Sequence, residues 1–156
     1  MSRLRNLAAV AVALAAVLAG TAGAASGRAA SDGILRVPLP SGWSGSVGRG
    51  WQGTHRVAWI LAGDFQLPAG AARHEGGPAV PRSNVLLTIG DFFPAGPSLH
   101  WRAVRKLRMP RRLILAGDWW RVRYERRALT IRVTFGSRPT QRLVLQAEEV
   151  LASIRR

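Results

Sequence analysis

The stretch DWWRVRYERRALTIRVTFG, residues 118–136, decides the fold. Apolar and polar side chains alternate along it in two runs. The apolar positions are Trp120, Val122 and Tyr124, followed by Leu129, Ile131, Val133 and Phe135. Alternation with a period of two predicts half-buried strands, here a hairpin joined by residues 126–128. One face of this hairpin should belong to the core, and the other should carry the arginines that separate the apolar positions.

Four more strands are expected upstream, at residues 34–40, 43–49, 56–62 and 84–92. Pro38 and Pro40 place the first of them at an edge, because proline cannot donate a ladder hydrogen bond. The segment 84–92 is the most apolar and should lie centrally. Residues 66–83 are rich in Gly and Pro and predict a long loop. Residues 99–107 predict a helical turn or a basic loop, ended by Pro110.

The chain should close with an amphipathic helix. Ser137 is the expected N-cap and Pro139 fits the first turn. Apolar residues recur at helical spacing on one face; they are Leu143, Ala147, Val150, Leu151 and Ile154. Together these elements predict an α+β fold, with an antiparallel β-sheet of about six strands and the C-terminal helix packed on one face.

The N-terminus has the three parts of a secretory signal peptide. Arg3 and Arg5 precede an apolar run over residues 7–19, and small residues follow at 22–24. We therefore predict a signal peptide at 1–24, a flexible leader at 25–33, a single domain at 34–156 and a secreted or extracytoplasmic location. The alternative is an uncleaved anchor that tethers an accessory subunit to the membrane. A helix over 7–19 spans about 20 Å, less than the ~30 Å hydrocarbon core.

Composition indicates a strongly basic domain without covalent cross-links. The chain has 23 Lys and Arg against 8 Asp and Glu, a net charge of +15, and no Cys. Loss of the signal peptide removes Arg3 and Arg5 and leaves a charge of +13. Without disulfides, an exported domain depends on its apolar core for stability. Its charge attracts polyanions and anionic membranes, or alternatively serves solubility alone.

The predicted binding site lies in the arginine-rich hairpin. If Trp120 belongs to the core, Trp119 lies with Arg121, Arg123 and Arg132 on the other face, where tryptophan interleaved with arginine can form a stacking surface for sugars or bases. These four residues are the expected anion-binding patch. Candidate partners are an anionic membrane surface, an envelope polymer or a protein. Export argues against nucleic acid.

No catalytic residue, metal site or cofactor is predicted. The histidines, His55, His74 and His100, lack the spacing of metal ligands, and no serine lies in a nucleophile motif. The alternative is a small secreted hydrolase with a site around His74 and a distant serine. The triplets starting at Gly63, Gly90 and Gly117 each read Gly-Asp-aromatic, 27 residues apart. They indicate either an internal repeat, whose three carboxylates could converge on a hard cation such as Ca²⁺, or ordinary turns.

The two ends of the domain carry recognisable motifs. The start is VPLPSGW, residues 37–43, a strand that runs into a Pro-x-Gly-Trp turn. The end is a hairpin that finishes FGS at 135–137, followed by a helix that finishes VLASI at 150–154. Both ends resemble PsbP-like domains of the kind found in secreted proteins of high-GC bacteria. Residues 44–115 are unmatched. The resemblance implies an antiparallel sheet flanked by helices, and a role in binding partners rather than in chemistry.

Overall fold

A computed structural model describes residues 28–73, 76–93, 101–110 and 118–155. Within these ranges the chain forms eight strands, a 3₁₀ turn at Ala71–Arg73 and one helix, α1, at Gln141–Ser153. In chain order the strands are β1 Ala29–Ser31, β2 Arg36–Pro38, β3 Ser44–Gln52, β4 His55–Gly63, β5 Val85–Phe93, β6 Ala103–Val104, β7 Trp120–Tyr124 and β8 Arg127–Phe135.

Six strands form one sheet in the order β3-β4-β5-β8-β7-β6, and β1 pairs with β2 in a separate two-stranded sheet. This arrangement, with its C-terminal helix, confirms the predicted α+β class. β5 lies inside the sheet as expected. The sheet is mixed, because β6 pairs with β7 in parallel. β6 falls in the segment predicted as a turn or loop. The Arg123 amide also donates to the Arg102 carbonyl at 2.9 Å, so this segment occupies the otherwise free edge of β7.

The main core lies on the sheet face that carries Ile60, Ile89 and Ile131, which we call the helix face. Helix α1 buries Leu143, Ala147, Val150 and Leu151 there, together with Ile154 just beyond its end, as its spacing predicts. Trp120 packs against the same core. The helix begins later than expected. Its N-cap is Thr140, whose Oγ1 accepts from the Leu143 amide at 3.3 Å, rather than Ser137.

The opposite face, which carries Trp59, Gly90 and Thr130, is called the loop face. The expected long loop follows β4 and buries Leu67 and Ala72 against this face. Ser44 Oγ ties the loop down by donating to the Phe65 carbonyl at 2.6 Å and accepting from the Leu67 amide at 2.9 Å. Because the sheet is covered on both sides, β8 is buried continuously over residues 128–131. The second face of the hairpin therefore carries the predicted arginines and also buried residues, Ala128 and Thr130, that the prediction did not include.

Part of the expected flexible leader is a strand. β1 pairs with β2, and Ala30 is buried against the core. The absence of a side chain on Gly45 permits this contact, because a Cβ placed on Gly45 would lie 2.8 Å from the Ala30 Cβ. The predicted signal peptide at 1–24 lies outside the described residues. Across the residues that are described, no helix is long and apolar enough to span a membrane.

The β7–β8 hairpin turns at Glu125 and Arg126, one residue earlier than predicted. Both residues have positive φ, 46° and 67°. Two central residues with positive φ define a type I′ turn, whose twist matches that of the flanking strands. Arg127 and Ala128, predicted to lie in the turn, are therefore the first residues of β8.

Candidate functional site

The structure brings the four predicted patch residues to the loop face of β7 and β8. Arg121 pairs with Thr130 and Arg123 pairs with Ala128, so both arginines project from that face. Trp119 lies immediately before β7, beside Arg132 of β8. The Arg132 Cζ is 5.8 Å from the centroid of the Trp119 ring. Sequence alternation had therefore assigned the side of the sheet correctly.

A second tryptophan, which sequence reasoning did not assign, completes this surface. Trp101 lies beside β7, and the Arg121 Cζ is 5.9 Å from its ring centroid. Its ring also packs edge-on against Phe92, with centroids 5.6 Å apart. Trp119 packs in the same way against the buried Trp59 at 5.9 Å. The cluster of Trp101, Trp119, Arg121, Arg123 and Arg132 is called the platform below.

The platform is positively charged. Arg121 and Arg123 are exposed, and none of the three platform arginines has a carboxylate partner among the described residues. Two polar atoms beneath the surface, Thr130 Oγ1 and Arg132 Nε, are buried without a hydrogen-bond partner in the described part of the chain. Buried polar atoms usually have partners, so the platform holds hydrogen-bonding capacity that the described chain does not use.

A second site, absent from the sequence predictions, is a cavity of about 440 Å³ at the end of the helix face. Four elements build it: the β1–β2 turn, the β3–β4 hairpin, the end of β5 and the start of β8. Its polar walls are formed by two carboxylates and three guanidinium groups; these belong to Asp32, Asp91, Arg49, Arg56 and Arg127. Exposed apolar side chains, Ile34 and Trp51, also line it.

Asp91 anchors the floor of the cavity. Asp91 is fully buried, and Arg127 makes a bidentate contact with its carboxylate. The Arg127 Nε donates to Oδ1 at 2.9 Å, and Nη2 donates to Oδ2 at 2.7 Å. Burial raises the pKa of the Asp91 carboxyl from 3.8 to about 6, Arg127 opposes the rise, and the nearby Asp32 carboxylate adds to it. Desolvation outweighs the ion pair because the carboxylate has lost all contact with water.

Asp32 holds the β1–β2 turn and positions a second arginine. Its Oδ1 accepts from the amides of Ile34 at 2.8 Å and Leu35 at 2.7 Å. Its backbone carbonyl accepts from Arg49 Nη2 at 3.0 Å. Both carboxylates of the cavity therefore orient other groups. Asp91 in particular is buried and engaged by Arg127, so it is poorly placed to contact a substrate.

The first two Gly-Asp-aromatic triplets, which lie within the described residues, do not converge. Asp64 follows the end of β4 and accepts from the Val85 amide at 2.7 Å, at the start of β5. Asp91 lies near the other end of β5, opposite Ala58. The described residues contain no group of three possible metal ligands. His74, His100 and Gly117 lie outside the described ranges, so the hydrolase alternative and the third triplet stay predictions.

The fold and its two sites define a class of protein: a small α+β domain with a basic aromatic surface on one face of the sheet and a charged cavity at the end of the other. No model of a known family matches the chain, and neither a curated protein nor a solved structure is detectably similar to it. The resemblance to PsbP-like domains therefore stays a prediction.

Proposed function

We propose that this is an exported, non-enzymatic binding domain whose platform binds a phosphate- or carboxylate-rich polymer of the cell envelope. The observation that carries the proposal is the arrangement of three arginines around two half-buried tryptophans on one sheet face, with no carboxylate partner for these arginines in the described part of the chain. Stacking on tryptophan holds a guanidinium in place while its N–H groups remain available to oxyanions.

A polymer suits this surface better than a single small anion. The platform is spread over two strands and a neighbouring segment, so successive anionic groups of a chain can each meet one arginine. Each contact is weak in water, and their sum supplies the affinity. The remaining positive charge of the protein attracts the polymer over longer distances.

Binding of the purified protein to polyphosphate and to poly-glutamate across a salt series tests this proposal. We expect saturable binding at low salt that falls steeply as salt rises, because polymer counterions are released on binding. The double variant R121Q/R123Q should weaken binding by about tenfold or more, because two charged contacts are lost.

The matched control is R138Q/R142Q, which removes the same charge from exposed positions before and at the start of α1. If the control weakens binding as much as R121Q/R123Q, net charge rather than the platform is responsible and the proposal is wrong. Binding to phosphatidylglycerol vesicles without binding to either polymer would instead support a membrane surface as partner. No binding at low salt would point to a protein partner.

A further inference from the structure

The cavity on the helix face carries an inference that is independent of polymer binding. The β-sheet register separates the two sites. Asp91 pairs with Leu129, and Leu129 pairs with Val122, so these three residues share the helix face. Arg121 and Arg123 of the platform flank Val122 in β7 and project from the opposite face. A ligand in the cavity would therefore not touch the platform.

The rim of the cavity exposes apolar surface next to cations. Trp51 is 65% exposed and Ile34 is 40% exposed, and both line the cavity. The Arg56 Cζ lies 5.3 Å from the centroid of the Trp51 ring. An exposed tryptophan beside a guanidinium offers a flat apolar surface and an ionic contact to the same ligand.

The charges of the cavity favour an anion. Arg127 forms an ion pair with Asp91. Arg49, by contrast, donates one hydrogen bond to the Asp32 carbonyl, and Arg56 has no carboxylate partner among the described residues. A guanidinium has five N–H donors, so Arg49 and Arg56 retain most of theirs. With three arginines against two aspartates, the cavity has a net positive charge when both carboxylates are ionised.

We propose that this cavity binds a small ring-bearing oxyanion, a carboxylate or phosphate ester whose anionic group lies between Arg49 and Arg56 and whose ring lies against Trp51. The volume fits a ligand of this size, since small-molecule sites generally measure about 300–1,000 Å³. The bound ring would cover the apolar surface that Trp51 and Ile34 now expose to water.

The buried carboxylate should make this binding depend on pH. The charged groups around Asp91 are Arg127 from β8, Asp32 from the β1–β2 turn, and Arg49 and Arg56 on the walls formed by β3 and β4. Because the pKa of Asp91 is raised to about 6, mild acid neutralises the Asp91 carboxylate and removes one negative charge from the cavity. The cavity then becomes more positive, and an anion binds more tightly.

Titration of the purified protein at low salt with phenyl phosphate, inorganic phosphate and benzyl alcohol tests the proposal by calorimetry. We expect phenyl phosphate to bind about tenfold or more tightly than either fragment, because the anion and the ring each contribute.

The R56Q variant should weaken the binding of phenyl phosphate about tenfold. The W51A variant should reduce the affinity for phenyl phosphate towards the affinity for inorganic phosphate. Both side chains are exposed, so the variants should fold. Benzenesulfonate, which keeps one charge, should bind several-fold more tightly at pH 5 than at pH 7.5.

The matched control is R138Q, which removes one exposed arginine that belongs neither to the cavity lining nor to the platform and should leave phenyl phosphate binding unchanged. Equal weakening by R138Q and R56Q would mean non-specific attraction and would overturn the proposal, as would the absence of saturable binding. The two proposals fail separately: polymer binding depends on Arg121 and Arg123, and small-anion binding depends on Arg56 and Trp51.

Discussion

At the scale of single residues, Asp91 combines an ion pair with complete burial. Its pKa is raised to about 6 by desolvation, against the pull of Arg127. We expect the carboxyl resonance of Asp91 to titrate near pH 6 in a carbon-detected NMR experiment. R127Q should raise this pKa further because it removes the opposing cation. D32N should lower it because it removes the neighbouring carboxylate while keeping the oxygen that caps the turn. A titration unaffected by D32N would contradict the assigned coupling.

Gly90 permits the close packing of the loop face. A Cβ on this residue would lie 2.5 Å from the Trp59 ring and 2.6 Å from Thr130 Oγ1. G90A should therefore displace the indole and reduce the free energy of unfolding by about 1–3 kcal/mol, measured by urea denaturation. The control is G50A in β3, where an added Cβ meets nothing within 4 Å and should change stability little. Equal effects of the two variants would show that Trp59 packing is not the cause.

At the scale of elements, the β7–β8 turn carries avoidable strain. Glu125 and Arg126 both adopt positive φ, which costs side-chain-bearing residues energy that Asn and Gly largely avoid. The double variant E125N/R126G should raise the free energy of unfolding by about 1 kcal/mol in chemical denaturation. E125Q/R126Q is the control, because it removes the same two charges without relieving backbone strain. A gain of the same size from E125Q/R126Q would assign the effect to charge.

The start of α1 separates the N-cap predicted from sequence from the one in the structure. Thr140 Oγ1 accepts from the Leu143 amide, so T140A should lower the free energy of unfolding by about 1 kcal/mol. S137A, at the cap predicted from sequence, should cost less than ~0.5 kcal/mol, because the Ser137 side chain is exposed and precedes the helix. Thermal or urea unfolding of both variants makes the comparison. The reverse order of effects would place the cap at Ser137.

At the scale of the whole molecule, Asp91 links folding to pH. Its pKa is about 6 in the folded chain, against the ordinary carboxyl value of 3.8 that applies to the unfolded chain. Between these values the folded state holds a proton that the unfolded state has lost. The corresponding stability is present at low pH and is lost as pH rises towards 6. We expect the Asp91 contribution to the free energy of unfolding to rise by about 2 kcal/mol from pH 7 to pH 4.5, measured with urea.

Other groups titrate over the same range, so the wild-type curve needs a comparison. D32N is suitable, since it leaves the Asp91–Arg127 pair intact and lowers the pKa of Asp91. Its stability should rise less on acidification than that of the wild type. Parallel curves for the two proteins would remove Asp91 as the source of the pH dependence.

The sequence by itself determined the fold class and which side chains of the β7–β8 hairpin and of α1 face the core. Alternation from Trp120 to Tyr124 and the spacing from Leu143 to Ile154 assigned the strand and helix faces correctly, because the burial period of an element is a local property. The same alternation placed Trp119 with Arg121 and Arg123. It could not reveal Trp101, which joins the platform only because the segment containing β6 lies along the edge of β7.

Only the tertiary structure determined which residues form the cavity, and only the tertiary structure showed that β1 is a strand in the segment predicted as a flexible leader. Arg127 and Asp91 are 36 residues apart, and their contact exists because β5 and β8 are neighbours with this register. Asp32 reaches the same site from a segment that composition marks as a flexible leader. β1 is ordered because Ala30 fits closely against Gly45, a match between distant backbones. Local patterns encode which side of an element is buried, but which charges meet depends on strand order and register, and these are set by contacts between segments far apart in the chain.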